Sequence, residues 1–106
     1  MPSRIYQRVL LKLSGEALIG NKKYGIDDSF ISDLASQLVD IHKSNVQLII
    51  VIGGGNFFRG SDLVNLGIQR VTADHMGMLA TVINSLALQS SIEKLNVECR
   101  VMSSIT

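Results

Sequence analysis

Two short apolar runs, each halted by glycine and held apart by a helical pattern, constrain this chain more than any other feature. The first run covers residues 5–13 and ends Arg8-Val9-Leu10-Leu11-Lys12-Leu13 before Ser14-Gly15. The second covers residues 47–52 and is broken by Gly53-Gly54-Gly55. A short stretch rich in Val, Ile and Leu with a glycine stop is the signature of a buried strand. Between the two runs, Asp27, Asp28 and Ser29 are candidate N-caps. Behind them, Ile31, Leu34, Ala35 and Leu38 fall at i, i+3, i+4 and i+7, the apolar face of a helix running to about Lys43. Ser44-Asn45 ends it. Residues 16–26 carry Gly20, Asn21 and Gly25 and read as a loop or hairpin.

The second half repeats the alternation. Residues 56–67 read as loop with room for a short helix. Helical spacing returns over residues 71–95, where Leu79, Val82, Ile83 and Leu86 fall at i, i+3, i+4 and i+7. Met76, Met78, Ala80, Ala87 and Leu88 lie off that stripe, so the helix is expected to be buried on more than one side. Residues 97–102 are a third strand candidate. Strand, helix, strand, helix, strand predicts an α/β fold with a parallel sheet and crossover helices. So small a sheet needs more strands outside this chain, or another chain over its edge.

Length and composition limit the function classes. The chain has 106 residues, enough for one domain or one lobe of a larger one. An apolar fraction of 46% and a charged fraction of 18% fit a packed core and not a disordered chain. A net charge of +1 gives no electrostatic footprint for nucleic acid or an anionic membrane. Cys99 is the one cysteine, so no internal disulfide can form, which suits a reducing cytosol. It reads as a small buried side chain. No signal-peptide layout is present, and the apolar runs are too short to span a bilayer. A cytoplasmic protein is expected.

In a parallel sheet, ligands sit beyond the carboxyl ends of the strands. Both glycine turns, Lys12-Leu13-Ser14-Gly15 and Gly53-Gly54-Gly55-Asn56, would lie at that one rim. Glycine lets the backbone come close to a ligand and its N–H groups converge on an anion. Neither turn is a Walker A loop or a dinucleotide fingerprint. Lys12 either snorkels at a strand edge or meets a phosphate at the rim. Arg59 is either a surface arginine or a fork for phosphate oxygens, and Phe57 and Phe58 beside it read as core anchors of the loop. Lys22-Lys23 is a solvated turn or a second phosphate contact. Asp74-His75 is expected to open the long helix, with Asp74 either a charge favouring the dipole or an acceptor for sugar hydroxyls. His75 and His42 are given no catalytic role. No set of residues has metal-ligand spacing.

Three segments together resemble the bacterial uridylate kinases of the amino acid kinase superfamily. They are Leu10-Leu11-Lys12-Leu13-Ser14-Gly15-Glu16-Ala17-Leu18, Val51-Ile52-Gly53-Gly54-Gly55-Asn56-Phe57-Phe58-Arg59-Gly60 and Asp74-His75-Met76-Gly77-Met78-Leu79-Ala80-Thr81-Val82. The first two recur loosely across the superfamily; the third is more specific to the uridylate kinase branch. The resemblance implies an αβα sandwich around a parallel sheet, with residues 1–106 forming the N-terminal part of a single domain whose C-terminal part is absent. It implies transfer of the γ-phosphate of ATP to UMP, giving UDP and ADP for pyrimidine nucleotide (CTP and UTP) synthesis. Catalysis would rest on Lys12 and Arg59. ATP would meet Lys12, Leu13, Ser14, Gly15, Gly55 and Arg59, and UMP would meet Gly54 and Asp74. Mg2+ would travel with ATP. A homohexamer is implied, with UTP as inhibitor and GTP as a possible activator acting near residues 20–25. The family's remaining nucleotide contacts lie outside this stretch, so the segment alone is expected to be inactive. Two alternatives stand beside this reading: another phosphotransferase of the superfamily, or an inactive nucleotide-binding fragment.

Overall fold

The computed structural model describes residues 8–58 and 60–103. Strand β1 (Arg8–Leu13) pairs in parallel with β2 (Gln47–Ile52), in register from Arg8 opposite Gln47 to Leu13 opposite Ile52. The β2 bounds are those the apolar run predicts. At the amino end Arg8 Nε donates to Gln47 Oε1 at 2.9 Å. At the carboxyl end the ladder runs one step past the strands, where Gly53 N donates to Leu13 O at 3.0 Å.

Helix α1 (Asp28–Lys43) crosses from β1 to β2. Of the three candidate caps, Asp27 does the work: its Oδ1 accepts from Phe30 N and its Oδ2 from Asn21 N, both at 3.1 Å. Those two N–H groups hold its carboxyl below the ordinary range. At the other end Ser44 Oγ donates to Ile41 O at 2.6 Å, and Asn45 turns the chain with φ of 74°. Residues 15–19 form a 3₁₀ turn, Gly15–Ile19, rather than loop or hairpin. Ser14 caps it by accepting from Glu16 N at 3.2 Å, and buried Leu18 pins it to the core.

Helix α2 (Gly60–Asn65) is short. Helix α3 (Arg70–Glu93) packs against α1 and α2. The core lies between one face of the sheet and the helices. Leu18, Ile31, Ala35, Leu38, Val39, Ile52, Leu88 and Ile92 form it, with Leu11, Leu13, Leu48 and Ile50 resting on it from the strands. The alternate strand residues point the other way. Leu10 is 63% exposed, Ile49 48% and Val51 47%, so the strands are buried on one face only in this chain. Parallel strands are ordinarily covered on both.

Two further expectations about the fold are overturned. Residues 97–102 form no strand. Their burial alternates residue by residue as in an extended chain, but Cys99 O accepts from the Gln89 side chain at 2.8 Å instead of from a strand. A groove of about 660 Å³ lies between this segment and β2. Partial burial pushes the Cys99 thiol up, with Glu93 adding to the effect. The second reversal is the face of α3. Its buried residues are Ala73, Ala80, Asn84, Leu88 and Ile92, whereas Leu79, Ile83 and Leu86 of the expected stripe are each about half exposed. The inward stripe is narrow because a loop backbone presses on it, as the site geometry makes clear.

Candidate functional site

The two glycine turns meet. A Cβ on Gly15 would stand 2.5 Å from Gly53 O, 2.7 Å from Gly53 C and 2.8 Å from Gly55 N. A Cβ on Gly54 would stand 2.8 Å from Ala80 Cβ and 3.0 Å from Gly77 O. The second turn is therefore held between the first turn and α3, at distances that only glycine permits on the loop side. Contact of this kind needs small residues on the helix, which is why Ala80 and not Leu79 faces inward. On Gly55, the Glu16 side chain lies where a Cβ would come within 3.0 Å of it.

A buried amide pair locks this arrangement. Asn56 is 2% exposed and Asn84 is fully buried. Asn56 Nδ2 donates to Asn84 Oδ1 at 2.9 Å, and Asn84 Nδ2 donates back to Asn56 Oδ1 at 2.7 Å. Asn84 Nδ2 also donates to Gly53 O at 2.8 Å, and Asn56 Nδ2 to Gly25 O at 2.9 Å. Gly25 N completes a two-bond clip by donating to Asn56 O at 2.8 Å. Sequence reasoning passed over both asparagines. The signal was available: Asn84 falls on the Ala80, Leu88, Ile92 spacing, and a carboxamide in a buried stripe needs partners.

The expected site residues fall into four groups. Leu13, Ser14, Gly15, Gly54 and Gly55 come together at the carboxyl rim of the two strands. Among the described residues, the N–H groups of Gly54 and Gly55 take no backbone acceptor. Lys12 stands opposite Val51 on the open sheet face, one residue from the strand end. It is exposed and in no ion pair with a described residue. Asp74 does not open α3, which begins at Arg70 after Gln69 and has no acidic residue in its first turn. The dipole role thus falls away, since that effect fades within a turn. Asp74 instead pairs with Arg70 at 3.6 Å, both well exposed. It shares a face with Gly77 and Thr81 at i, i+3 and i+7, about 4.5 Å along the axis from the helix turn that touches Gly54. Arg59 lies outside the described residues. Of the two aromatics, Phe57 is half-buried and Phe58 is exposed, so only Phe57 behaves as an anchor. No cluster of metal-ligating side chains occurs among the described residues, and no helix among them is long and apolar enough to cross a membrane.

Known proteins are similar to this chain in sequence and in fold. Residues 7–106 match the sequence profile of the amino acid kinase family. A uridylate kinase of Dichelobacter nodosus is 50% identical over 104 residues, which is 98% of this chain and 43% of that protein. A uridylate kinase of Xanthomonas axonopodis pv. citri is 56% identical over 100 residues, 94% of this chain and 42% of that protein. Among solved structures, a UMP kinase from Bacillus anthracis superimposes with a TM-score of 0.79 at 41% identity, covering 86% of this chain and 37% of that one. A UMP kinase from Ureaplasma parvum gives 0.79 at 45% identity, covering 88% and 39%. The chain thus spans under half the length of these relatives.

Proposed function

Because this chain belongs to the amino acid kinase family, we propose that it is the phosphate-handling N-terminal part of a UMP kinase, in which ATP gives its γ-phosphate to UMP. The observation that carries the reading is the contact of the two glycine turns at the carboxyl rim of parallel strands. It is supported by relatives named uridylate kinase at 50% and 56% identity. In the proposal, residues 1–106 belong to one domain completed by chain beyond them.

The chemistry asks little of the protein beyond position and charge. The Leu13-Ser14-Gly15 turn and Gly55 cradle the ATP phosphates through backbone N–H groups, with no Cβ to hold the anion off. Ser14 Oγ stays on its capping duty, which fixes the turn. Lys12 reaches round from the open face and offsets charge on the transferred phosphoryl group, and Arg59 adds a guanidinium fork. Gly54 and Asp74 hold UMP, Gly54 by its backbone and Asp74 at the ribose after leaving Arg70. Mg2+ arriving with ATP supplies further charge neutralisation on the phosphates. The glycine cradle fits a polyphosphate.

The same reading carries a homohexamer, inhibition by UTP, a response to GTP through residues 20–25, and a cytoplasmic location. Coupled ADP release tests its core. The full-length enzyme carrying this segment should turn over with UMP and not with glutamate, aspartate or carbamate, while the 106-residue chain alone should release no ADP. Turnover with an amino acid and none with UMP would transfer the chain to another branch of the family. Calorimetric binding of ATP and UMP by a full-length enzyme with no turnover would make it a binding module.

A further inference from the structure

We propose that Asn84 is a positioning residue that aims the Gly54 N–H at the nucleotide phosphates, an inference that rests on the kinase reading above. Two carboxamides at 2% and 0% exposure are costly unless every polar atom is paired. Here all four amide hydrogens are used: two across the pair, one on Gly25 O and one on Gly53 O. The orientation of both amides is fixed, since flipping either would set oxygen against a carbonyl oxygen. Packing alone would be served by apolar side chains of similar size, so the pair does something that packing does not require.

What it does follows from the peptide unit. In a planar trans peptide the C=O and the following N–H point in opposite directions. Asn84 Nδ2 holds the Gly53 carbonyl at 2.8 Å, and this turns the Gly54 N–H away from Asn84. A peptide between two glycines has the widest choice of orientations in the chain. Without the Asn84 bond, nothing in the side chains of the turn would select one. Asn56 holds the other end of Asn84, and through Gly25 it keeps the neighbouring loop in place.

The test compares two variants that each bury one new carboxylate. Asn84→Asp loses the donor to Gly53 O. Asn56→Asp keeps it, because Asn84 Nδ2 can still donate to both Gly53 O and the new carboxylate. In the full-length enzyme carrying this segment, both should melt earlier than the parent. Measured well below the melting temperatures, kcat should fall about 30-fold or more in Asn84→Asp and by no more than about threefold in Asn56→Asp, the scale expected for a misplaced reacting group. If either carboxylate prevents folding, Asn84→Ala against Asn56→Ala is read in the same way. Equal losses of kcat in the two variants, or parental kcat in Asn84→Asp, would overturn the inference and leave the kinase reading standing. A parent that neither binds ATP nor phosphorylates UMP would overturn both.

Discussion

Replacing Gly15 by alanine tests whether the two glycine turns form one rigid site. The new Cβ would stand 2.5 Å from Gly53 O, 2.7 Å from Gly53 C and 2.8 Å from Gly55 N. All three are backbone atoms, so no rotamer change can make room. Ordinary contact starts near 3.4 Å, and the turns must part by about 1 Å or the strand ends must bend. Overpacking of this kind costs about 1–3 kcal/mol. Alanine returns about 0.4–1 kcal/mol by restricting the unfolded chain. A net loss of about 1–2 kcal/mol remains, and with a urea m-value of about 1–3 kcal/mol per M it lowers the unfolding midpoint by about 0.3–2 M. Circular dichroism during urea titration of the full-length enzyme carrying this segment reads this directly. In the full-length enzyme, a shift of about 1 Å at the phosphates should also cost about 100-fold in turnover. Gly15→Ala with the parental midpoint and the parental rate would refute the close-contact argument outright.

Three further outcomes are expected. Gly77→Ala should raise stability by about 0.8–1 kcal/mol, because Gly77 lies inside α3 and nothing sits within 4 Å of its Cβ position; a stabilised full-length enzyme with impaired UMP turnover would show that a ligand uses that space, and a destabilised one would contradict the geometry. Asp27 has a depressed carboxyl pKa in the fold, chiefly from the Asn21 and Phe30 N–H groups. Its contribution is present above the ordinary 3.8 and is lost as pH falls through the folded value, so Asp27→Asn should flatten the acid limb of a stability-against-pH curve, and an unchanged limb would remove Asp27 as a source. Lys12→Ala in the full-length enzyme should lower turnover far more than UMP affinity; the reverse pattern would move Lys12 off the transferred phosphoryl group.

The parts of this fold legible in the sequence are those fixed locally. Strand β2 is bounded by Asn45 and Gly53, residues that stop a strand by their own backbone preferences, and α1 starts where Asp27 can reach Phe30 N. Helix α3 shows what is not local. It has apolar residues on two faces, and periodicity cannot rank them. The choice is made by the Gly54 backbone, which tolerates Ala80 and excludes anything larger. Residues 97–102 fail for a related reason. They have strand composition and extended alternation, but a strand also needs a hydrogen-bonded neighbour, and the groove beside β2 separates the two. The site was legible as two glycine turns on one rim. Its amide lock was not, because the pairing of Asn56 with Asn84 is a contact between a loop and a helix 28 residues apart.

The position of Asn84 also sets a timetable for synthesis. The chain leaves the ribosome N-terminus first, and domains begin to form as they emerge. Strand β1, helix α1 and strand β2 can close on one another once residue 52 is out, since their register depends on nothing later. The glycine turn follows directly in sequence but has as yet no partner for the Gly53 carbonyl. That partner arrives only with the third turn from the end of α3. During the interval Leu10, Ile49 and Val51 offer an apolar sheet face to the surroundings, and a chaperone meeting the nascent chain would find that face before it found a finished phosphate site.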